Sequence, residues 1–180
     1  MQRKSIYKYA SEAGVPAGLY MTLMSACLLL SVKLPALPMM LLPLCLGFPV
    51  LLWFLMKRIS IKESAYNKFS SLWLGGIYTV IFGSLICMLL SALYIVFVEP
   101  NFVNLYIGNA LSAVESTPMA PQYESSIRMM REAMDAHVLP TGLEFVTTMA
   151  WFTCFCGSIL SLLIAAVMTY AGKRVNGQPV

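Results

Sequence analysis

Four long apolar runs, Ala13–Val32, Ala36–Met56, Leu72–Val98 and Phe145–Gly172, contain no Asp, Glu, Lys, Arg or His. A bilayer core about 30 Å thick is crossed by roughly 20 helical residues, so each run is long enough to span it. In lipid every backbone N–H and C=O needs a partner within the protein, which leaves helices or a closed barrel. A barrel would show strands of about 10 residues with alternating polarity. These runs are unbroken and about twice as long, so the expected fold is all-α: a polytopic membrane protein with four transmembrane helices in a bundle. Charged residues make up only 11% of the chain, against about 25% in soluble domains, which agrees. The whole chain, residues 1–180, reads as a single membrane domain, because no other stretch is long enough to fold alone.

Charge placement predicts the orientation. Arg3, Lys4, Lys8, Lys57, Arg58, Lys62, Lys68, Lys173 and Arg174 all fall in the N-terminus, the second inter-span loop or the C-terminus. If four spans alternate, these segments share one side. The other side holds Lys33, Arg128 and Arg131 with six acids: Glu99, Glu115, Glu124, Glu132, Asp135 and Glu144. The positive-inside rule then predicts a bacterial-type inner (cytoplasmic) membrane protein with both termini cytoplasmic. A basic rim beside anionic headgroups accounts for the net charge of +4, so lipid is an expected partner and nucleic acid is not. Met24-Ser25-Ala26-Cys27 loosely matches a lipoprotein cleavage box. The apolar run continues through Leu28-Leu29-Leu30, however, so it is expected to remain as the first span.

Local signals place the helix ends. Pro16 suits the first turn of span one, where its missing N–H costs little. Span two carries Pro38, Pro43 and Pro49. Pro43 and Pro49 are candidate kinks, and Pro49 removes a bond to the carbonyl of Cys45. Such a kink is either a hinge that exposes a carbonyl or an ordinary tolerated membrane proline. Ser60-Ile61-Lys62-Glu63 and Thr141-Gly142-Leu143-Glu144 read as capping boxes opening the third and fourth helices.

The loop Glu99–Glu144 is patterned. Val103, Ile107, Ala110, Leu111 and Val114 share one helical face, and Ile127, Met130, Met134 and Val138 share another after the break at Thr117–Pro121. Two amphipathic helices are expected there, between helices three and four. They would cap the bundle, lie on the membrane or dock a partner.

Residues that could carry chemistry are few. Small side chains recur every fourth position in three spans: Ala10, Gly14, Gly18, Thr22 and Ala26; then Gly75, Thr79, Gly83, Cys87 and Ser91; then Thr153, Gly157, Ser161, Ala165 and Thr169. Lipid supplies no hydrophobic drive for helix association, so close backbone approach must supply it, and these rows are candidate helix-packing seams. A narrow pore is the competing reading, though pores usually add charged rings. All five cysteines lie in the spans, and Cys154 and Cys156 point about 200° apart on a helix, which suits no shared metal. His137 with Met134 and Met130 is a weak Cu(I) candidate. The sequence shows no paired carboxylate at membrane depth, no Ser/His or Cys/His couple and no phosphate-cradling loop. Neither enzyme activity nor a cofactor is expected, nor is the intramembrane ionisable group usual in a proton-coupled transporter.

Three segments carry a resemblance: Ser60-Ile61-Lys62-Glu63-Ser64, Phe82-Gly83-Ser84-Leu85 and Val98-Glu99-Pro100-Asn101-Phe102. With this layout the chain resembles an uncharacterised family of four-span proteins of Bacteroides-type bacteria, described only as a domain of unknown function. The resemblance implies an inner-membrane location and no catalytic residues. The expected role is structural or accessory, through helix packing and the outer loop, as a homo-oligomer or with another membrane protein. The alternative is a small carrier or channel for an uncharged or lipid-like solute.

Overall fold

The computed structural model describes residues 6–34, 36–62, 69–117, 120–136 and 138–175. Among them are six α-helices and no strand: α1 (Ile6–Leu30), α2 (Pro38–Lys62), α3 (Phe69–Phe97), α4 (Phe102–Glu115), α5 (Glu124–Asp135) and α6 (Gly142–Val175). A short 3-10 turn, Ala120–Tyr123, leads into α5. Four stretches are long and apolar enough to cross a membrane: Tyr7–Leu30, Pro38–Ile61, Phe69–Phe97 and Gly142–Tyr170. Their outward faces carry large apolar side chains such as Leu46, Phe97 and Trp151, each about three-quarters exposed. Contiguous apolar surface of that kind is untenable in water and natural in lipid. This is the architecture of a polytopic helical membrane protein.

α3 is the central helix, packed on α1 along one side and on α6 along another. α1 and α3 run parallel, as shown by Tyr7 against Tyr78 near their starts and Ser25 against Ser91 towards their ends. α6 runs antiparallel to α3, with Gly76 beside Ser161 and Gly142 beside Ile95. The four spans therefore alternate in direction. The starts of α1 and α3 and the end of α6 form one end of the bundle, and α4 closes the other.

Three clusters fill the interior. Ala13, Ala17, Leu55 and Ile59 join α1 to α2 at the terminal end. Met21, Leu52, Met56, Leu72, Val80 and Ile164 occupy the middle. At the α4 end, Phe102 and Val103 insert among Leu29, Ile95 and Val146. Phe102 is fully buried and lies within 6 Å of the Phe145 ring, with a centroid distance of 5.9 Å. Burying a side chain of this size stabilises by about 1.5–3 kcal/mol wherever water is the alternative.

Two helix boundaries differ from the sequence expectation. α1 begins at Ile6, so Pro16 lies inside the helix and not in its first turn. The helix extends back because Ala10 and Ala13 are buried and the Tyr7 ring meets Tyr78 edge-on at 4.8 Å. Ser60 belongs to the last turn of α2 and does not open the third helix, which starts at Phe69. Leu52, Leu55, Met56 and Ile59 form one buried i, i+3, i+4, i+7 face, and that packing carries α2 past the serine. Glu63, the other half of that box, lies outside the described residues. The second box forms: the Thr141 N–H donates to Glu144 Oε2 at 2.8 Å and the Glu144 N–H to Thr141 Oγ1 at 3.3 Å.

Candidate functional site

The small residues gather at two seams on adjacent faces of α3. On the α1 side, Cβ atoms built on Gly14 and Gly18 would lie 2.6 Å from Phe82 Cβ and 3.0 Å from the Gly83 carbonyl oxygen. A Cβ on Gly83 would lie 3.1 Å from the backbone nitrogen of Gly18. The two backbones touch here, and Ala17, fully buried, fills the space between. On the α6 side, Gly76 faces Ser161, and a Cβ on Gly157 would lie 2.5 Å from Val80 Cγ1, too close to fit without a shift. Ala165 is buried in the central cluster near Leu72 and Val80.

The rows read from the sequence meet this geometry unevenly. Gly14, Gly18 and Gly83 come together, as do Gly157 and Ser161 with Gly76. Gly75 is buried, and its carbonyl accepts the Thr79 hydroxyl at 2.8 Å. Gly76, Val80 and Ser84, one position on from the expected row, form the α6-facing stripe. The adjacent pair Gly75-Gly76 was the available signal, since neighbouring helix positions point about 100° apart and serve two partners. Cys87 and Ser91, farther along α3 towards α4, line a different feature, a cleft.

The cleft has a volume of about 230 Å³ and lies in the half of the bundle nearer α4. Met21, Met24 and Leu28 of α1, Met88 of α3 and Met149 and Ala150 of α6 form its walls. Leu41 and Phe48 of α2 close it on the remaining side. It exists because α2 packs closely only through its second half, where Leu52, Leu55, Met56 and Ile59 are buried. Its first half, with Pro43 and Pro49 inside the continuous helix, presents Met39, Leu42, Leu46 and Val50 outward. Among the described residues one polar tether holds that half: the Tyr20 hydroxyl donates to the Leu44 carbonyl at 2.8 Å. That carbonyl precedes the one Pro49 deprives of its helical partner, in the turn a proline loosens. Gly47 leaves room for the Tyr20 hydroxyl, which a Cβ there would strike.

Polar atoms in the cleft are few and neutral. Ser25 Oγ and Ser91 Oγ bond to each other at 2.7 Å across the α1–α3 seam, and Ser84 Oγ lies 2.9 Å from Cys154 Sγ. Cys87 Sγ is 3.9 Å from Ser91 Oγ. The remaining span hydroxyls mostly turn back on their own helix: those of Thr22, Thr153 and Ser158 reach the carbonyl four residues earlier.

Above the cleft, the α4 end is tied by charge. Lys33 Nζ pairs with Glu99 at 2.5 Å, joining the α1–α2 turn to the end of α3. The hydrogen bond to Glu99, and then its negative charge, hold the Lys33 pKa above its ordinary 10.5. The Asn109 side-chain amide donates to the Val32 carbonyl at 3.3 Å. α5 is held more loosely. Arg131 pairs with Glu115 of α4 at 2.7 Å, and the Met134 methyl is the atom nearest to Gly108. None of its residues is fully buried; Met129 and Met130 are largely open, as is Val138 beyond its end.

Among the described residues no three His, Cys, Asp or Glu side chains gather as a metal site, and all five cysteines are unbridged. His137, the imidazole of the copper candidate, lies outside the described residues.

No curated protein and no solved structure matches the chain. A family described as "Protein of unknown function (DUF4199)" matches residues 12–169, from the first span to the end of the fourth, and the chain belongs to that family.

Proposed function

We propose that this protein acts by association and not by catalysis: a membrane-embedded scaffold or accessory subunit that binds a second membrane protein chain, its own copy or another, through α5. The observation that carries the reading is the state of α5. Its sequence is strongly amphipathic, yet none of its residues is buried: Ile127 and Met134 are half-buried, while Met129 and Met130, and Val138 just beyond its end, are exposed. Neighbouring α4 behaves differently, inserting Phe102 and Val103 into the bundle and so capping it. An amphipathic helix that leaves its own apolar side open offers it to a partner. The small-residue seams at Gly14, Gly18, Gly83 and Gly157 hold the bundle that presents it. A through-channel is disfavoured by the central cluster, where Leu52, Met56 and Val80 pack the bundle below the cleft.

The chain belongs, on this reading, to a bacterial cytoplasmic membrane, with both termini inside and the α4–α5 segment outside. The nine basic residues of the terminal side and the six acids of the other support it. A reporter fused after Val180 is expected to be active only inside the cell.

The association test places a photo-crosslinking amino acid at Met130 in cells and, as a control, at lipid-facing Leu46. A discrete protein adduct from position 130 alone is expected. Adducts to lipid only, or equal protein adducts from both positions, overturn the proposal.

A further inference from the structure

We propose that the cleft between α2 and the α1–α3–α6 layer binds one acyl chain of a membrane glycerolipid, whose ester carbonyl accepts a hydrogen bond from the Ser25–Ser91 pair. This inference stands apart from the association of α5 and rests on different residues.

Depth comes first. The walls belong to the four membrane-spanning stretches, so the cleft lies at hydrocarbon level. From Ser91 near the α4 end, the lining continues along α3 to Ser84, about 10 Å deeper. A chain entering from the α4 side would pass the serines first and run down past Met21 and Phe48.

Chemistry narrows the occupant. Among the described residues no charged side chain lines the cleft. The nearest cation of the α1–α2 turn, Lys33, is already paired with Glu99. A free carboxylate or phosphate would therefore enter with no counter-charge, at a high desolvation cost. A neutral chain pays no such penalty. The methionines of the wall, Met21, Met24, Met88 and Met149, are unbranched and adapt to an irregular hydrocarbon. At about 230 Å³ the cleft is smaller than the roughly 300–1,000 Å³ of sites that enclose drug-sized ligands, room for part of one chain and not for a whole lipid.

The serine pair supplies the one polar preference. Two hydroxyls bring two protons, and their mutual bond uses one. Among the described residues, neither hydroxyl makes the backbone bond that Thr22 and Thr153 make. The other acceptor near Ser91 is the Cys87 sulfur, at 3.9 Å and weak. Among the described residues the second O–H therefore has only this long sulfur contact to use, and Ser91 itself is 5% exposed. A neutral carbonyl at that level satisfies it.

The test uses the full-length protein in phosphatidylglycerol vesicles doped with a phosphatidylcholine that carries a mid-chain diazirine. Photolysis and peptide mapping should find adducts concentrated on Met24, Met88 and Met149. Ala150→Phe, which fills the cleft, should abolish them while leaving the helical circular dichroism unchanged. Diester phosphatidylglycerol should compete with the probe about threefold better than its diether analogue, the advantage expected of one hydrogen bond at membrane depth. The milder Ser25→Ala/Ser91→Ala variant should erase that difference and keep the adducts. Adducts spread evenly over outward residues such as Leu46 and Phe97, or insensitive to Ala150→Phe, overturn the site. Equal competition by ester and ether lipids in the parent protein overturns the part assigned to the serines.

Discussion

Gly83→Leu tests the seam on which the bundle depends. At Gly83 the neighbour is backbone: an added Cβ would lie 3.1 Å from Gly18 N, 3.3 Å from Ala17 Cβ and 3.4 Å from Ala17 C. A backbone atom cannot rotate aside, so an Ala there is about 0.3 Å too close to α1. That strain opposes the gain of about 0.8–1.0 kcal/mol that Ala enjoys over Gly inside a helix. The two roughly cancel, and Gly83→Ala should change stability by less than about 1 kcal/mol. Leu adds three more carbons, aimed at the strand of α1 backbone between Ala17 and Gly18. No side chain of that size fits unless α1 and α3 separate, and overpacking of this kind costs about 1–3 kcal/mol. A net loss near 2 kcal/mol lowers the melting temperature of a chain this long by about 4–8 °C. The assay is thermal unfolding in a mild detergent, followed by far-UV circular dichroism, with size-exclusion elution as a check on assembly. Gly108→Ala is the matched control. Its nearest neighbour is the Met134 methyl at 4.0 Å, so it should gain up to about 1 kcal/mol. A Gly83→Leu protein that melts with the parent and elutes at the same size would show that the α1–α3 approach is not what holds these helices together.

Three further outcomes follow from the geometry. Tyr20→Phe removes the tether to the Leu44 carbonyl and should cost about 1 kcal/mol, read as a lowered unfolding midpoint; faster protease cleavage in the first half of α2 should accompany it. Thr141→Ala removes the hydroxyl that accepts from the Glu144 N–H, the side-chain half of the capping box that starts α6, and should cost about 0.5–2 kcal/mol in the same assay. Lys33 has a folded pKa raised above 10.5, so its contribution is complete below pH 10.5 and is lost as the pH climbs through the folded value. Glu99→Gln removes the cause, and the variant should lose less stability than the parent across that alkaline window in a pH series of unfolding midpoints.

The spans were legible because hydrocarbon allows so few solutions. A charge-free run such as Leu72–Val98 has one stable conformation in lipid, and α3 covers nearly the same residues. Boundaries set by tertiary contact were not legible. Nothing local says that Tyr7 will meet Tyr78, which is why α1 begins before its proline, or that Ile59 will be buried, which carries α2 through Ser60. The seam residues were visible in part. An every-fourth-residue row finds one face of α3, but α3 packs on two, and its second stripe begins at Gly76. The cleft left no trace in the pattern, because Ser25, Ser91 and Phe48 come from three different helices and meet only in the assembled bundle.

The two ends of the bundle are built on different principles, and this locates where change can occur. Towards the termini, α2 is fastened by Leu52, Leu55, Met56 and Ile59, all nearly or fully buried. Towards α4, the same helix is held by the Tyr20 hydroxyl and by Phe48, whose ring stacks on Tyr20 at 6.3 Å, and its two internal prolines each remove a backbone hydrogen bond. A segment with few buried contacts and a weakened hydrogen-bond ladder opens at lower free energy than the body it belongs to. Movement of α2 would therefore pivot near Pro49, with its first half swinging and its second half fixed. That swing changes the width of the cleft, because Leu41 and Phe48 form its fourth wall. It also pulls on the α1–α2 turn, which Lys33 joins to Glu99 at the start of the segment carrying α4 and α5. With a lipid in the cleft as proposed, its effect on the exposed α5 surface would pass through that one short turn, and breaking the Lys33–Glu99 pair is the change that would separate them.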